Sequence, residues 1–245
     1  REEMRFRASV ADLSKPDPVS NRTPRQIPTS QQTEFENVPD TDPSVPANLE
    51  WANEILDKAK TSKLGLKETE QDMLSTEADL DKVISKAVKG FSKWQKLGLE
   101  KRVVILRKVA LELEKNRAEL LEVMASEAGK TIEQGDPEIS EAIDFANYYA
   151  KLAEDLNDLD GAKHVPEQLV LVTPPWNFPT AIPAGSSLAA LAAGSAVIFK
   201  PAGQVRRTGA LLARIFHSAG VPKDVMVPIQ ISEKDLGKQL ITHKE

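Results

Sequence analysis

Hydrophobic positions are sparse in the first 73 residues and become regular only after Leu74. The early part is rich in Pro, Ser, Thr, Asn and Asp, a composition typical of extended or irregular chain. Within it, one short helix is predicted at about 47–60. Its apolar anchors are Trp51, Ile55 and Leu56. We therefore expect residues 1–73 to form an irregular linker arm and residues 74–245 to form the folded domain.

Four stretches in the first half of that domain repeat apolar residues with helical spacing. In the first stretch, Thr76 precedes Asp79 by three residues, which resembles a capping box. The third ends at Gly129, a residue suited to the left-handed backbone that stops a helix. The fourth is predicted to begin with Asp136 as N-cap and Pro137 as the first helical residue.

From residue 168 onward, short apolar runs alternate with helical stretches. The runs QLVLV, SAVIF and DVMVPI predict strands, and the stretches between them predict helices that end at Gly194 and Gly220. Continuous apolar strands are typical of a parallel sheet covered on both faces. We therefore predict an α/β fold, with helices over 74–160 and the first half of a doubly wound parallel sheet over 168–245. The GxGxxG fingerprint of dinucleotide-binding folds is absent.

Composition excludes several classes of function. Lys and Arg number 32 against 37 Asp and Glu, so no basic excess suggests nucleic-acid binding. The sequence has no membrane-length apolar run and no secretory signal, and we expect a cytoplasmic protein. Cysteine is absent, which excludes disulfides, thiolate metal sites and a cysteine nucleophile within these residues. His164, His217 and His243 lack metal-ligand spacing, and no metal site is predicted.

The candidate chemistry lies between Thr173 and Gly203. Trp176 and Asn177 stand between prolines before an Ala-rich helix, and Lys200 follows the next strand. An amide at this position either donates to an oxyanion or caps the helix, and the residues alone leave both roles open. A lysine at the carboxyl end of a parallel strand lies where such sheets bind ligands, although a lone lysine is usually solvated surface.

These motifs resemble the aldehyde dehydrogenase family. The resemblance rests on PWNFP at 175–179, LAALAAGSAVIFKPA at 188–202 and AGVP at 219–222. Two further motifs, SEAGKT and EISEAIDFANYYA, are similar to the glutamate-semialdehyde (delta-1-pyrroline-5-carboxylate) dehydrogenase module of bifunctional proline utilization A enzymes. FENVPDTDPSVPANLEWA, at 35–52, resembles the start of that module. The resemblance covers nearly the whole chain and implies an N-terminal fragment of the module.

The resemblance also implies roles for individual residues. Asn177 is the implied oxyanion donor, and Phe178 the implied wall of a pocket for the small-molecule aldehyde substrate. Glu138 matches a helix carboxylate near the substrate entrance. The implied NAD-binding residues are Thr173, Pro174, Pro175, Trp176, Lys200, Ala202 and Gly203.

Two departures from the family pattern stand out. Gly203 occupies the place where the family usually has a glutamate that accepts from ribose hydroxyls, a hydrogen bond worth about 1 kcal/mol. Arg206 and Arg207 follow, and they face either a cofactor phosphate or solvent, which leaves NADP preference open. The family's cysteine nucleophile and glutamate base lie further downstream, so we expect no activity from this chain alone.

We therefore expect part of an NAD-dependent glutamate-semialdehyde dehydrogenase of proline degradation. The resemblance implies a homo-oligomeric parent with an upstream FAD-dependent proline dehydrogenase domain. The alternative is a non-catalytic, dehydrogenase-like scaffold or partner-binding module, for which the absent cysteine and Gly203 need no further explanation.

Overall fold

The computed structural model describes residues 2–12, 25–32, 34–231 and 235–244. Within them the first seven helices precede the sheet: α1 (Glu2–Asp12), α2 (Pro46–Ala59), α3 (Leu66–Gln71), α4 (Glu77–Leu97), α5 (Leu99–Lys115), α6 (Arg117–Ala128) and α7 (Ile132–Glu154). The sheet region follows, with β1 (Leu169–Val172), α8 (Ala181–Ala193), β2 (Ala196–Phe199), α9 (Arg206–Ala219), β3 (Met226–Pro228) and α10 (Asp235–Ile241).

The three strands form one parallel sheet in the order β1-β2-β3. The central strand β2 is buried along its whole length, because helices cover both of its faces. Cluster members from α4 and α10 pack with Ile198 and Val227 on one face. Members of α5 to α9 pack with Val197 and Phe199 on the other. The predicted α/β fold with a partial parallel sheet is confirmed.

Helix α4 lies directly on the segment that leads into β3. A Cβ added at Gly90 would stand 1.8 Å from the carbonyl oxygen of Asp224, so only glycine permits this approach. The predicted start of α4 is confirmed, since the Thr76 hydroxyl accepts from the Asp79 N–H at 3.1 Å. The predicted end of α6 is confirmed as well, with Gly129 in the left-handed region at φ 69°.

The predicted start of α7 at Asp136 and Pro137 is wrong. The helix begins five residues earlier, at Ile132, with Thr131 as its N-cap and the Thr131 hydroxyl accepting from the Gln134 N–H. Asp136 does not cap because its carboxylate accepts from the Arg117 guanidinium and from Thr41. Partners this distant along the chain left no local signal in the sequence.

The segment before residue 74 combines helices with extended chain. The helix expected near 47–60 is present as α2, with Ile55 buried, Trp51 partly buried and Leu56 40% exposed, so Leu56 is not an anchor. The expectation of an irregular arm did not include α1, whose described side chains are exposed, or α3. Residues 25–32 and 34–44 contain no helix or strand.

Discrete polar contacts hold this extended segment against the helices. Arg25 forms an ion pair with Glu114 at 2.6 Å. Further along, the Asn37 amide and the Val38 N–H both donate to the Asp144 carboxylate, at 2.7 and 2.8 Å. The segment is therefore ordered by a few long-range hydrogen bonds rather than by its own secondary structure.

The described residues include no helix that is both long and apolar enough to cross a bilayer. Nor do they bring three or more potential metal-ligating side chains together. Each histidine instead has a local partner. A ring nitrogen of His164 lies 2.7 Å from the Ala193 carbonyl oxygen, that of His217 lies 2.9 Å from the Met226 oxygen, and His243 lies 3.4 Å from Asp81.

Candidate functional site

The carboxyl ends of β1 and β2 bring the two sequence motifs side by side. The register pairs Val172 with Phe199, so Thr173 and Lys200 are the next residues along neighbouring strands. The Lys200 N–H donates to the Val172 carbonyl oxygen at 2.9 Å, which extends the pairing by one bond. Trp176 and Lys200 are 24 residues apart in the sequence, but the segments that carry them follow neighbouring strands at one edge of the sheet. Parallel sheets bind ligands at this edge.

The loop between β1 and α8 presents its central side chains to solvent. Trp176 is 52% exposed and Phe178 is 44% exposed, and Asn177 between them is exposed as well. Pro174 and Pro179 on either side are buried and anchor the loop. Two large apolar side chains held in solvent by a proline-anchored loop are a surface that a ligand can cover.

Asn177 does not cap α8. The N-cap is Thr180, and the N–H groups of Thr180 and Ala181 donate to the Glu138 carboxylate at 3.0 and 3.2 Å. Among the described residues, no hydrogen-bond partner is found for the Asn177 side chain. The sequence left two roles open for Asn177, helix cap and oxyanion donor. The structure does not show Asn177 as a helix cap.

Glu138 lies beneath this loop rather than at its surface. The residue is 3% exposed on α7, and its second carboxylate oxygen forms a close ion pair with Lys130. The Lys130 ammonium in turn lies 4.9 Å from the centroid of the Phe178 ring. Both oxygens of Glu138 are therefore engaged by groups of the protein, and a direct contact with substrate stays a prediction.

The start of α9 is closed by a carboxylate in the same way. The two oxygens of Glu127 accept from the N–H groups of Arg207 and Thr208, each at 2.8 Å. The Arg207 guanidinium donates to the carbonyl oxygens of Leu64 and Ser62, at 2.7 and 2.9 Å. The Arg207 side chain, which is partly buried, therefore connects α9 to the segment before α3.

Gly203 lies in a short 3₁₀ turn just beyond Lys200 and is exposed. The nearest atom to a Cβ built there is Nη2 of Arg206, at 3.8 Å, so a side chain would fit. The Nε atom of Arg206 is buried without a hydrogen-bond partner in the described part of the chain. The difference from the family pattern at Gly203 is therefore chemical, a lost acceptor, and not steric.

Carboxylates of the protein already occupy the helix N-termini beside this edge of the sheet. Helix N-termini ordinarily attract phosphate, but Glu138 and Glu127 already occupy the first turns of α8 and α9. At the same edge, Lys200 and Ala202 are partly exposed, and Gly203 and Trp176 are exposed.

Comparison with known proteins places this geometry in a family. The model of the aldehyde dehydrogenase family matches residues 66–245. The chain belongs to the aldehyde dehydrogenase family. It is 30% identical over 246 aligned residues to a 1-pyrroline-5-carboxylate dehydrogenase of Staphylococcus epidermidis, covering 86% of this chain and 48% of that protein.

Two solved structures of the family are similar to this chain. Proline utilization A (PutA) from Corynebacterium freiburgense is 37% identical with a TM-score of 0.76, and the match covers 99% of this chain and 23% of that one. An NAD-dependent benzaldehyde dehydrogenase from Corynebacterium glutamicum is 30% identical with a TM-score of 0.63, covering 68% and 39%. The chain thus spans about half the length, or less, of these aldehyde dehydrogenases.

Sequence analysis placed Glu138 near the substrate but did not predict that it caps α8, and it assigned no site role to Glu127 or Lys130. Lys130 and Glu127 lie in the SEAGKT motif, which sequence analysis used only for the resemblance. Lys130 also lines a cavity of about 1020 Å³ between α2 and the α6–α7 corner. The sequence did offer one signal for these roles. In this motif, two charged residues flank the glycine that ends α6, so the turn between α6 and α7 holds both charges close together.

Proposed function

We propose that this chain supplies the oxyanion side and the cofactor side of an NAD-dependent oxidation of glutamate semialdehyde to glutamate. Membership of the aldehyde dehydrogenase family supports the reaction type. The names of the pyrroline-5-carboxylate dehydrogenase and PutA relatives support this substrate in proline degradation. The observation that carries the proposal is the exposed Asn177 amide on the loop that follows β1, the strand paired with β2, after which Lys200 is the next residue.

Asn177 would act on the oxygen of the aldehyde. When a nucleophile adds to the carbonyl carbon, that oxygen becomes negative, and a preplaced amide N–H stabilises the charge as it develops. Such a donor must not be consumed by the fold. The helix that follows has its first N–H groups satisfied by Glu138, which leaves the Asn177 amide for this role.

The cofactor would lie along the edge from Trp176 to Gly203, where bound NAD supplies the hydride acceptor. The name of the NAD-dependent benzaldehyde dehydrogenase supports NAD as a cofactor. Lys200 and Ala202 would hold the adenosine ribose, with Thr173, Pro174, Pro175 and Trp176 on the nicotinamide side. Phe178 would form one wall for the aliphatic stem of the substrate.

The chain contains no cysteine and therefore supplies no thiol nucleophile. We expect the 245-residue chain, incubated with glutamate semialdehyde and NAD⁺, to give no NADH above the buffer blank. Turnover in a preparation freed of contaminating dehydrogenases would contradict this division of the site. In the proposed enzyme the nucleophile would therefore come from residues other than these.

Two substitutions test the proposed roles in a catalytically active protein that contains this chain. Asn177→Ala should lower kcat about a hundredfold with little change in KM for NAD⁺, because the oxyanion exists only near the transition state. Lys200→Ala should mainly raise KM for NAD⁺, because its contact is the same in the ground and transition states. A kcat within a few-fold of wild type for Asn177→Ala would remove the oxyanion role.

A non-catalytic scaffold is the second candidate, and the absence of cysteine together with Gly203 favours it. The two candidates differ in whether NAD⁺ binds to this chain. A scaffold would neither need nor retain a cofactor-binding edge. An unchanged activity of the parent after both substitutions above would support the scaffold.

A further inference from the structure

Two charged side chains, Glu138 and Lys130, contact the loop that carries Asn177 and Phe178 from the interior of the protein. Glu138 reaches from α7 to the first N–H groups of α8, at 3.0 and 3.2 Å, across more than forty residues of sequence. Lys130 neutralises its other oxygen in a close ion pair. The Lys130 side chain is 15% exposed and the Glu138 side chain 3% exposed. Both charges are therefore shielded from solvent, and each depends on the other for its counter-charge.

The cap of α8 has an unusual source. The N-cap residue Thr180 makes no side-chain capping bond, and its hydroxyl instead contacts the Met124 sulfur at 3.2 Å. A helix normally takes its cap from its own N-cap residue. Here the direction in which α8 begins, and hence where residues 176–179 point, depends on a carboxylate from another helix.

Lys130 couples that cap to the exposed part of the loop. Its ammonium contacts the Glu138 carboxylate and also lies 4.9 Å from the centre of the Phe178 ring, a cation–π distance. The backbone position of Lys130 is set by the end of one helix and the start of the next. Gly129 ends α6 in the left-handed region, and Thr131 caps α7.

Close packing keeps Glu138 from moving away. A Cβ at Gly135, three residues before it, would come within 2.9 Å of Leu121 and 3.1 Å of Met124. The first turns of α7 therefore lie directly against α6. The Glu138 carboxylate has a fixed base from which to hold the loop.

We propose that Lys130 and Glu138 are positioning residues that fix the conformation of loop 173–180, and through it the Asn177 amide and the Phe178 ring. The catalytic part of this inference rests on the proposed function, whereas the ordering of the loop does not. Neither side chain needs to touch substrate or cofactor. The pair acts by satisfying the α8 N-terminus and by holding Phe178 from its inner side.

The ordering is tested on the 245-residue chain itself. Its three tryptophans, Trp51, Trp94 and Trp176, can be labelled with 5-fluorotryptophan and assigned by Trp→Phe variants. In Glu138→Gln, whose neutral amide leaves Lys130 without a counter-charge, the Trp176 fluorine resonance should shift or broaden. The Trp94 resonance should stay in place, because that indole is buried and donates to the Leu191 carbonyl oxygen in the last turn of α8, at the opposite end of the helix from Thr180. Hydrogen exchange at the Thr180 and Ala181 amides should accelerate about tenfold in Glu138→Gln and further in Glu138→Ala.

Glu127→Gln is the matched control, because Glu127 caps α9 with the same chemistry. Exchange should accelerate at Arg207 and Thr208 while the Trp176 resonance stays unchanged. Lys130→Met keeps the cap and removes the charge, and it tests the ammonium should Glu138→Ala fail to fold. An unchanged Trp176 resonance in both Glu138→Gln and Lys130→Met would overturn the proposal.

The catalytic part is tested by a double-variant cycle in an active protein that contains this chain. Glu138→Gln should lower kcat about tenfold and leave KM for NAD⁺ unchanged. Combined with Asn177→Ala, it should cause no further loss, because both changes remove the same donor. Additive losses would show that Glu138 acts elsewhere, for instance on the substrate, and would overturn its role through Asn177. A disordered loop together with an unaffected kcat in Asn177→Ala would refute the oxyanion proposal alone.

Discussion

Polar side chains occur in two contrasting settings in this chain. Glu114, Arg117 and Asp136 are buried and satisfy one another, with Arg117 donating to both carboxylates at 2.9 Å. Asn177, on the loop that follows β1 at the carboxyl edge of the sheet, is exposed. The contrast teaches that burial and mutual pairing mark the polar groups that build the fold. Exposure at the end of a strand marks those that remain for a ligand.

The buried network also ties the extended segment to the helices. Arg25 and Arg117 both donate to Glu114. Burial acts to raise the pKa of the Glu114 carboxyl, but these hydrogen bonds outweigh it and hold that pKa below its ordinary value. A lowered carboxyl pKa contributes stability above the unfolded-state pKa, and this contribution is lost as pH falls through the folded-state pKa. The network therefore weakens in acid.

The largest effect is expected where a buried partner is removed. Arg117→Met should lower the free energy of unfolding by about 3 kcal/mol, because two buried carboxylates lose a counter-charge. Arg107→Met is the control on the neighbouring helix. Its pair with Glu154 at 2.6 Å is partly exposed and should be worth less than about 1 kcal/mol. Urea unfolding at pH 7 measures both, and equal losses would erase the distinction between buried and exposed pairs.

A groove beside β3 holds polar groups of an intermediate kind. Burial, and then the Glu68 carboxylate, raise the pKa of Asp72 to about 6, although Lys86 and Lys223 oppose the rise. Burial also lowers the pKa of His217 in the same groove. Asp72 is thus neither fully paired nor fully solvated, and its charge disfavours the folded state.

Asp72→Asn should therefore stabilise the protein in a pH-dependent manner. The folded-state pKa of Asp72 lies above the unfolded one, so the folded state binds more protons between these values. Wild-type stability consequently falls as pH rises toward 6, and the variant lacks this loss. The gain in free energy of unfolding should be larger at pH 7.5 than at pH 4.5. A pH-independent difference would show that the Asp72 carboxyl titrates normally. The contribution of His217 to the free energy of unfolding falls as pH falls, but it is the same in both proteins and cancels in this comparison.

At the edge of the sheet, adding a polar group should improve binding rather than stability. Gly203→Glu would add a carboxylate acceptor at the proposed ribose site, and the surrounding space admits a side chain there. We expect NAD⁺ to bind about fivefold more tightly to an active protein carrying this change, equivalent to about 1 kcal/mol. Calorimetry measures the dissociation constant, and Gly203→Ala controls for the loss of glycine. Equal affinities in the two variants would place the ribose elsewhere.

Local sequence signals predicted what local contacts decide. The cap of α4, the glycine ends of α6, α8 and α9, and the three parallel strands follow from residues within a few positions of each other. The start of α7 was mispredicted because Asp136 has a partner 95 residues away, at Thr41. The cap that Glu138 provides to α8 spans 42 residues and leaves no local pattern either. The family resemblance predicted the candidate site residues. Only the structure shows that Glu138 is buried with both carboxylate oxygens bonded to protein groups, whereas Asn177 is exposed.

The smallest effect is expected at the residue proposed for chemistry. Asn177 and Thr76 are both exposed polar residues just before a helix, but only Thr76 accepts a hydrogen bond from that helix. Thr76→Ala should lower the free energy of unfolding by about 1 kcal/mol, the usual worth of an N-cap. Asn177→Ala should change it by less than about 0.5 kcal/mol, as for a surface residue without a structural role. Parallel urea titrations of the two variants make the comparison. Equal losses would mean that Asn177 caps α8 in solution, and the amide would no longer be available for an oxyanion.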